Sequence, residues 1–146
     1  MVDISTQIVI KCPVEKVATY AAGPENAPEW YVNIESVRML GPRSLQKGSH
    51  MEFKAHFLGR TLVYIYEIIE FIKYEKLVMR THEGPFPMET SYIWEKLDEK
   101  TTRMTLRNTG QPEGFSKWIA PLMGLMIRRA NKKDLDRLRQ IMEQSC

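Results

Sequence analysis

The chain has 146 residues, 43% of them hydrophobic and 27% charged, with a formal net charge of +3. These proportions fit one ordinary globular domain over residues 1–146 and exclude a disordered chain. No apolar run nears the roughly 18 residues of a spanning helix, and so small a charge is weak support for nucleic acid, so neither stable membrane insertion nor a nucleic-acid partner is expected.

The opening MVDISTQIVIKC carries Asp3 and lacks a basic flank ahead of an apolar core. It does not read as a signal peptide, and the expected location is cytoplasmic. Ile4, Thr6, Ile8 and Ile10 alternate with Asp3, Ser5 and Gln7, which predicts a half-buried strand. Cys12 and Cys146 are too few and too far apart in sequence to predict a disulfide framework or a metal-ligand spacing. Nothing local gives Cys12 the helix N-terminus or histidine of a reactive thiol. Pro13 suits the first turn of a helix, and Val14, Val17, Ala18 and Ala21 recur behind it at helical spacing. Gly23 and Pro24 stop that helix, and prolines between Pro24 and Trp30 predict a short, broken one. Ile34 to Leu40 reads as a second strand, ended by Gly41 and Pro42.

Two hairpins follow. Met51, Phe53, Ala55 and Phe57 alternate with His50, Glu52, Lys54 and His56. A tight turn at Leu58 and Gly59 pairs Phe57 with Arg60 and brings Leu62, Tyr64, Tyr66 and Ile68 to the face of Phe53. A strand around Leu77 to His82 comes next, closed by Gly84 and Pro85. The second hairpin turns at Asp98 to Lys100, which sets Thr90, Tyr92 and Trp94 beside Asn108, Leu106 and Met104. Beyond Gly114 the pattern is helical. Trp118, Ile119, Leu122, Met126 and Ala130, then Leu135, Leu138, Ile141 and Met142, form an apolar stripe. Pro121 and Gly124 inside it predict a kink or late start near Pro121, and a bend beside any cavity beneath the helix.

Several passages resemble the START-like (SRPBCC) superfamily, and within it the polyketide cyclase/dehydrase family. The stretch IKCPVEKVATYAAGPENAPEWYVNIESVRML is similar to the family's opening, with its strand ending in a cysteine-proline pair, its buried valine, Trp30, Ile34 and Val37. Gly48 stands where the family starts its third strand with a glycine. YEIIEFIKYEKL resembles the passage EVxEYxPxxxL, with Ile68, Phe71 and Leu77 in the apolar places, although the family's proline near Lys73 and Tyr74 is missing. DEKTTRMTL matches the last hairpin. Asp134, Leu135, Leu138, Arg139 and Glu143 occupy the places of the closing DLxxLKxxxE. The resemblance implies a helix-grip α+β fold (START/Bet v 1-like): a curved antiparallel sheet of about seven strands around a long C-terminal helix, with two short helices after the first strand.

That fold encloses an elongated cavity between sheet and helix. The alternation of the strands independently sets Tyr64, Tyr66, Tyr92 and Trp94 on the concave face, with Met51, Phe53, Met104, Leu106 and Asn108. Aromatic bodies with polar tips and flexible methionines suit a pocket for a small hydrophobic or aromatic molecule. The plainer reading of the same residues is an ordinary core. Phe53, Tyr64, Tyr66, Tyr92, Trp94, Met104 and Asn108, with Leu122 and Met126 from the helix, are the candidate ligand-binding residues.

No catalytic residue is assigned. His50 and His56 fall opposite Phe53 and read as solvent-facing. His82, near Arg80 and Glu83, stands on a face the sequence does not fix. No G-x-S-x-G, H-E-x-x-H, P-loop or dinucleotide fingerprint occurs, so no cofactor and no metal are implied. Arg128, Arg129, Lys132, Lys133, Arg137 and Arg139, interrupted by Asp134 and Asp136, read as a solvated helix face, with an anionic membrane or an acidic ligand head group as the alternative. Three functions stay open: a small-molecule binding protein, an enzyme of the cyclase, aromatase or dehydratase kind, and a protein-interaction module. A titratable group inside the cavity with a partner would favour the enzyme. The sequence leaves the oligomeric state open.

Overall fold

Period-two burial along β1 (Val2–Ile10) repeats through the sheet, with Val2, Ile4 and Ile10 inside and Asp3, Ser5, Gln7 and Val9 outside. The computed structural model describes residues 2–41, 44–57, 59–83, 87–110 and 120–146. The other strands are β2 (Ile34–Leu40), β3 (His50–Phe57), β4 (Arg60–Ile72), β5 (Lys76–Glu83), β6 (Met88–Asp98) and β7 (Thr101–Gly110). Among the described residues they form one seven-stranded sheet in the order β1-β7-β6-β5-β4-β3-β2. All neighbouring pairs are antiparallel.

The two hairpin registers agree with those the alternation predicts. Phe53 lies opposite Tyr64, Met51 opposite Tyr66 and Phe57 opposite Arg60. Thr90 lies opposite Asn108, Tyr92 opposite Leu106 and Trp94 opposite Met104. A one-residue slip would turn Phe53, Tyr64, Tyr92 and Trp94 outward, so the buried face itself enforces the pairing. The turn between β3 and β4 uses Gly59 at φ +73°, which a residue without a Cβ adopts without strain. Leu58 lies outside the described residues. At the other hairpin Asp98 Oδ1 accepts the Lys100 backbone N–H at 2.8 Å. Irregular register in β2, β4 and β6 bends the sheet toward its concave side.

The link from β1 to β2 joins the two edges of the sheet. It consists of α1 (Val14–Ala22), a single 3-10 turn (Pro24–Asn26) and α2 (Ala27–Trp30). Val14, Val17, Ala18 and Ala21 of α1 are buried, as their spacing predicts. Trp30 is fully buried, stacks on Tyr31 with ring centroids 4.0 Å apart and meets Tyr92 edge-on at 5.7 Å. It fills the end of the core that the short helices close.

The long helix α3 (Ala120–Ser145) buries Met123, Leu135, Leu138 and Met142. Pro121 falls in its first described turn. The helical start expected beyond Gly114, with Trp118 and Ile119, lies outside the described residues. Near its other end Glu143 Oε2 accepts the Lys11 backbone N–H at 2.9 Å.

One expectation is corrected here. Cys12 and Cys146, separated by 134 positions, form a disulfide with Cα atoms 5.7 Å apart. Distance along the chain misleads because the end of α3 returns to the turn after β1. The carbonyl of Cys12 also accepts the Thr102 hydroxyl at 2.7 Å, which fixes this turn to β7.

Candidate functional site

A cavity of about 140 Å³ opens between the concave sheet and α3. The sheet contributes Phe53 and Ala55 from β3, Leu62, Tyr64 and Tyr66 from β4, Met79 from β5, Met88 and Thr90 from β6, and Asn108 from β7. The opposite wall is Ile127, Ala130, Asn131 and Asp134 of α3. Tyr31 and Asn33, between α2 and β2, and Ile34, the first residue of β2, complete this part of the lining.

Most of this wall is apolar, so each polar group matters. Tyr31 and Tyr92 share a hydrogen bond of 2.5 Å between their hydroxyls. Thr90 Oγ1 donates to Asn108 Oδ1 at 2.7 Å. Burial pushes the phenol of Tyr64 up to about 12, and raises those of Tyr31, Tyr66 and Tyr92 as well, so all four are neutral hydroxyls near pH 7. Neutral phenols donate and accept hydrogen bonds but do not act as bases there.

Asp134 differs from all of them. Its residue exposure is 4%, and one carboxylate oxygen accepts the Val32 backbone N–H at 2.8 Å. Burial raises its carboxyl to about 7, against a smaller lowering by the Val32 N–H. It therefore stands near half ionisation at neutral pH, the condition that suits a proton-transfer group. One turn earlier Asn131 lines the cavity at 5% exposure, and its Nδ2 is buried with no hydrogen-bond partner among the described residues.

The candidate residues divide. Phe53, Tyr64, Tyr66 and Asn108 line the cavity. Tyr92 is buried and reaches the site through its bond to Tyr31. Trp94 and Met104 are buried deeper in the core and stand outside the lining. Leu122 is corrected: it is 53% exposed, on the outer face of α3. The apolar stripe placed it inside, but Met123 takes the inward position at that turn. Met126 is half-buried and outside the lining, because Ile127 faces the cavity at that level.

Neither His50 nor His56 is buried in the cavity. His50 lies 3.5 Å from Glu67, and His56, with its side chain 59% exposed, lies 3.0 Å from Glu35 at the rim. The face of the His82 side chain lies outside what the structure describes, while Arg80 is exposed. Among the described residues no cluster of three His, Cys, Asp or Glu side chains could hold a metal. The basic series on α3 is exposed throughout, with Asp136 3.9 Å from Arg139. Asp134 does not belong to that solvated face.

Tyr31, Asn131 and Asp134 are polar site residues that the alternation argument missed, and Met79, Met88 and Ile127 were missed with them. A signal for two of them was present: Asn131 and Asp134 stand four residues before Leu135 and Leu138, on the buried side of the helix. Tyr31 follows a four-residue helix, where no periodicity fixes a direction.

A curved antiparallel sheet gripping a long C-terminal helix over a mainly apolar cavity defines the START/Bet v 1-like class. The chain belongs to the family described as polyketide cyclase / dehydrase and lipid transport, whose profile matches residues 1–143. No curated protein matches it in sequence. Among solved structures it is similar to a protein from Thermus thermophilus, at TM-score 0.82 and 17% identity over 98% of each chain. It is likewise similar to a Streptomyces aromatase/cyclase, at TM-score 0.82 and 13% identity over 97% of this chain and 93% of that one. A START superfamily protein from Mycobacterium smegmatis aligns at TM-score 0.79 and 13% identity over 99% of each chain. At such identities the likeness is one of fold. Among the described residues no helix is long and apolar enough to cross a membrane.

Proposed function

We propose that the protein binds a small ring-bearing hydrophobic molecule in the cavity between its sheet and α3. The observation that carries this reading is the cavity itself, about 140 Å³ of space walled by Phe53, Tyr64, Tyr66, Met79 and Met88. A dry cavity of about 150 Å³ accepts benzene, so this volume suits a single substituted ring. Rings and thioethers offer such a ligand dispersion contacts on every side. The aromatase/cyclase among the structural neighbours and the description of the family support a small organic ligand.

The test is calorimetric titration with one-ring compounds, comparing the natural chain with Ala130→Leu. Ala130 lines the cavity from α3, and three added heavy atoms there would occupy the ligand's space. The expected result is saturable binding weakened at least tenfold in the variant. Equal binding by both proteins would put the ligand elsewhere.

A second reading is favoured by one specific observation, the buried carboxyl of Asp134 at about 7. In this reading its carboxylate takes a proton from the carbon next to a bound carbonyl, leaving an enolate, and the resulting acid returns a proton. That is the elementary step a cyclase or dehydrase needs. Deuterium uptake beside the carbonyl of a bound ketone, followed by NMR in heavy water, measures it. The expected rate rises with pH through about 7 and is lost in Asp134→Asn. A rate untouched by that substitution would remove Asp134 from the chemistry.

A further inference from the structure

Asn131 and Asp134 stand one helical turn apart on α3, and both line the cavity. Their exposures of 5% and 4% leave them almost no water. Two other pairs of polar groups are already engaged, Tyr31 with Tyr92 and Thr90 with Asn108. Asp134 Oδ1 is held by the Val32 N–H. The Asn131 Nδ2 is not engaged by any described residue. A buried amide donor without an acceptor is costly, and native structures tolerate one mainly where something else completes it.

The charge of this end is as informative as its donor. No lysine or arginine lines the cavity among the described residues. The titratable groups beside Asp134 are the neutral phenols of Tyr31 and Tyr92. The imidazole of His56 points to solvent at the rim. An anionic ligand placed here would lose its hydration, meet no cation among the described residues and face a carboxyl that ionises near neutral pH.

We propose that Asn131 and Asp134 form a charge filter at the polar end of the cavity, where Asn131 donates to a neutral carbonyl oxygen and Asp134 turns carboxylates away. This rests on the reading that the cavity holds a ring-bearing molecule. A neutral carbonyl oxygen accepts the Asn131 amide and brings no charge against Asp134. A carboxylate of the same outline satisfies the amide but brings a second negative charge against Asp134. The filter thus separates aryl ketones from aryl acids of similar size.

Three ligands of nearly one shape test it: acetophenone, α-methylstyrene, which has CH₂ in place of the carbonyl oxygen, and benzoate. At pH 8 the natural chain should bind acetophenone about tenfold tighter than α-methylstyrene, the size of a neutral hydrogen bond completed in a buried site. Benzoate should bind at least tenfold more weakly than acetophenone. Asn131→Leu should lose the preference for the ketone over α-methylstyrene. Asn131→Ala, which removes the donor without adding bulk, is the second variant should the leucine fail to fold, and it too should lose that preference. Equal binding of ketone and alkene by the natural chain, a ketone preference that survives loss of the Asn131 donor, or benzoate binding as tightly as acetophenone overturns the filter while leaving the ring-binding reading intact. Failure of both acetophenone and α-methylstyrene to bind overturns that reading and the filter with it.

Discussion

Asp134 accepts the backbone N–H of Val32 at 2.8 Å, and this bond fastens the long helix to the segment between α2 and β2 that borders the cavity. The same carboxyl faces the cavity. A group that both supports the fold and faces the ligand space links stability to the ionisation of the site.

That link has a definite sign. Burial raises the Asp134 carboxyl from 3.8 to about 7, so the folded chain holds this proton more tightly than the unfolded chain does. The stabilising contribution is full below pH 3.8 and is lost as pH rises to about 7. At about 1.4 kcal/mol per pH unit the loss approaches about 4 kcal/mol. Asp134→Asn removes the ionisation and keeps an oxygen for the Val32 N–H. Denaturant unfolding of both proteins from pH 4 to pH 8 should show the natural chain losing stability relative to the variant by several kcal/mol. Parallel profiles would mean that Asp134 does not titrate in this range.

Gly124 offers a test of the helix. A Cβ built there would lie 3.9 Å from Ile4 Cδ1, an ordinary contact. Replacing a helical glycine by alanine contributes about 1 kcal/mol, so Gly124→Ala should raise the unfolding midpoint. At Gly110 the same change has the opposite sign, because the Cβ would fall 2.7 Å from the Pro87 carbonyl oxygen. Gly110→Ala should destabilise by about 1–3 kcal/mol as the strand shifts to relieve the overlap. Thermal unfolding of the two variants decides both.

The bond between Cys12 and Cys146 closes nearly the whole chain into one loop. Such a constraint removes entropy from the unfolded state and contributes about 2–4 kcal/mol. Reduction should lower the denaturant midpoint of the natural chain and leave that of Cys146→Ser unchanged. A midpoint indifferent to reductant in the natural chain would show that the bond does not form or carries no stability.

Much of the sheet was legible because alternation and turn spacing act locally. Phe53 and Tyr64, or Trp94 and Met104, are paired by counting back from Gly59 and from Asp98 to Lys100. Which aromatic residues meet open space was not legible, since Trp94 and Tyr66 share a face but only Tyr66 lines the cavity. That distinction depends on how the helix lies across the sheet. The helical residues were harder still. An apolar stripe weights leucines and methionines, so Leu122 read as inward while Asn131 and Asp134 went unread, although a buried polar residue on such a stripe is the informative one. The disulfide stayed hidden because it depends on where both ends of the fold arrive.

The central claim is that a ring occupies the space between sheet and helix, and the methionines report on it directly. Of the nine in the chain, Met79 and Met88 line the cavity, while Met142 is buried far along α3. With the methionine methyl groups labelled by carbon-13 and assigned by Met→Leu substitution, NMR titration with acetophenone follows each one. The account predicts that the Met79 and Met88 signals shift together along one saturating curve while Met142 stays in place. Saturable binding that moves Met142 and leaves Met79 and Met88 unmoved, or no saturable shift at all, would contradict it.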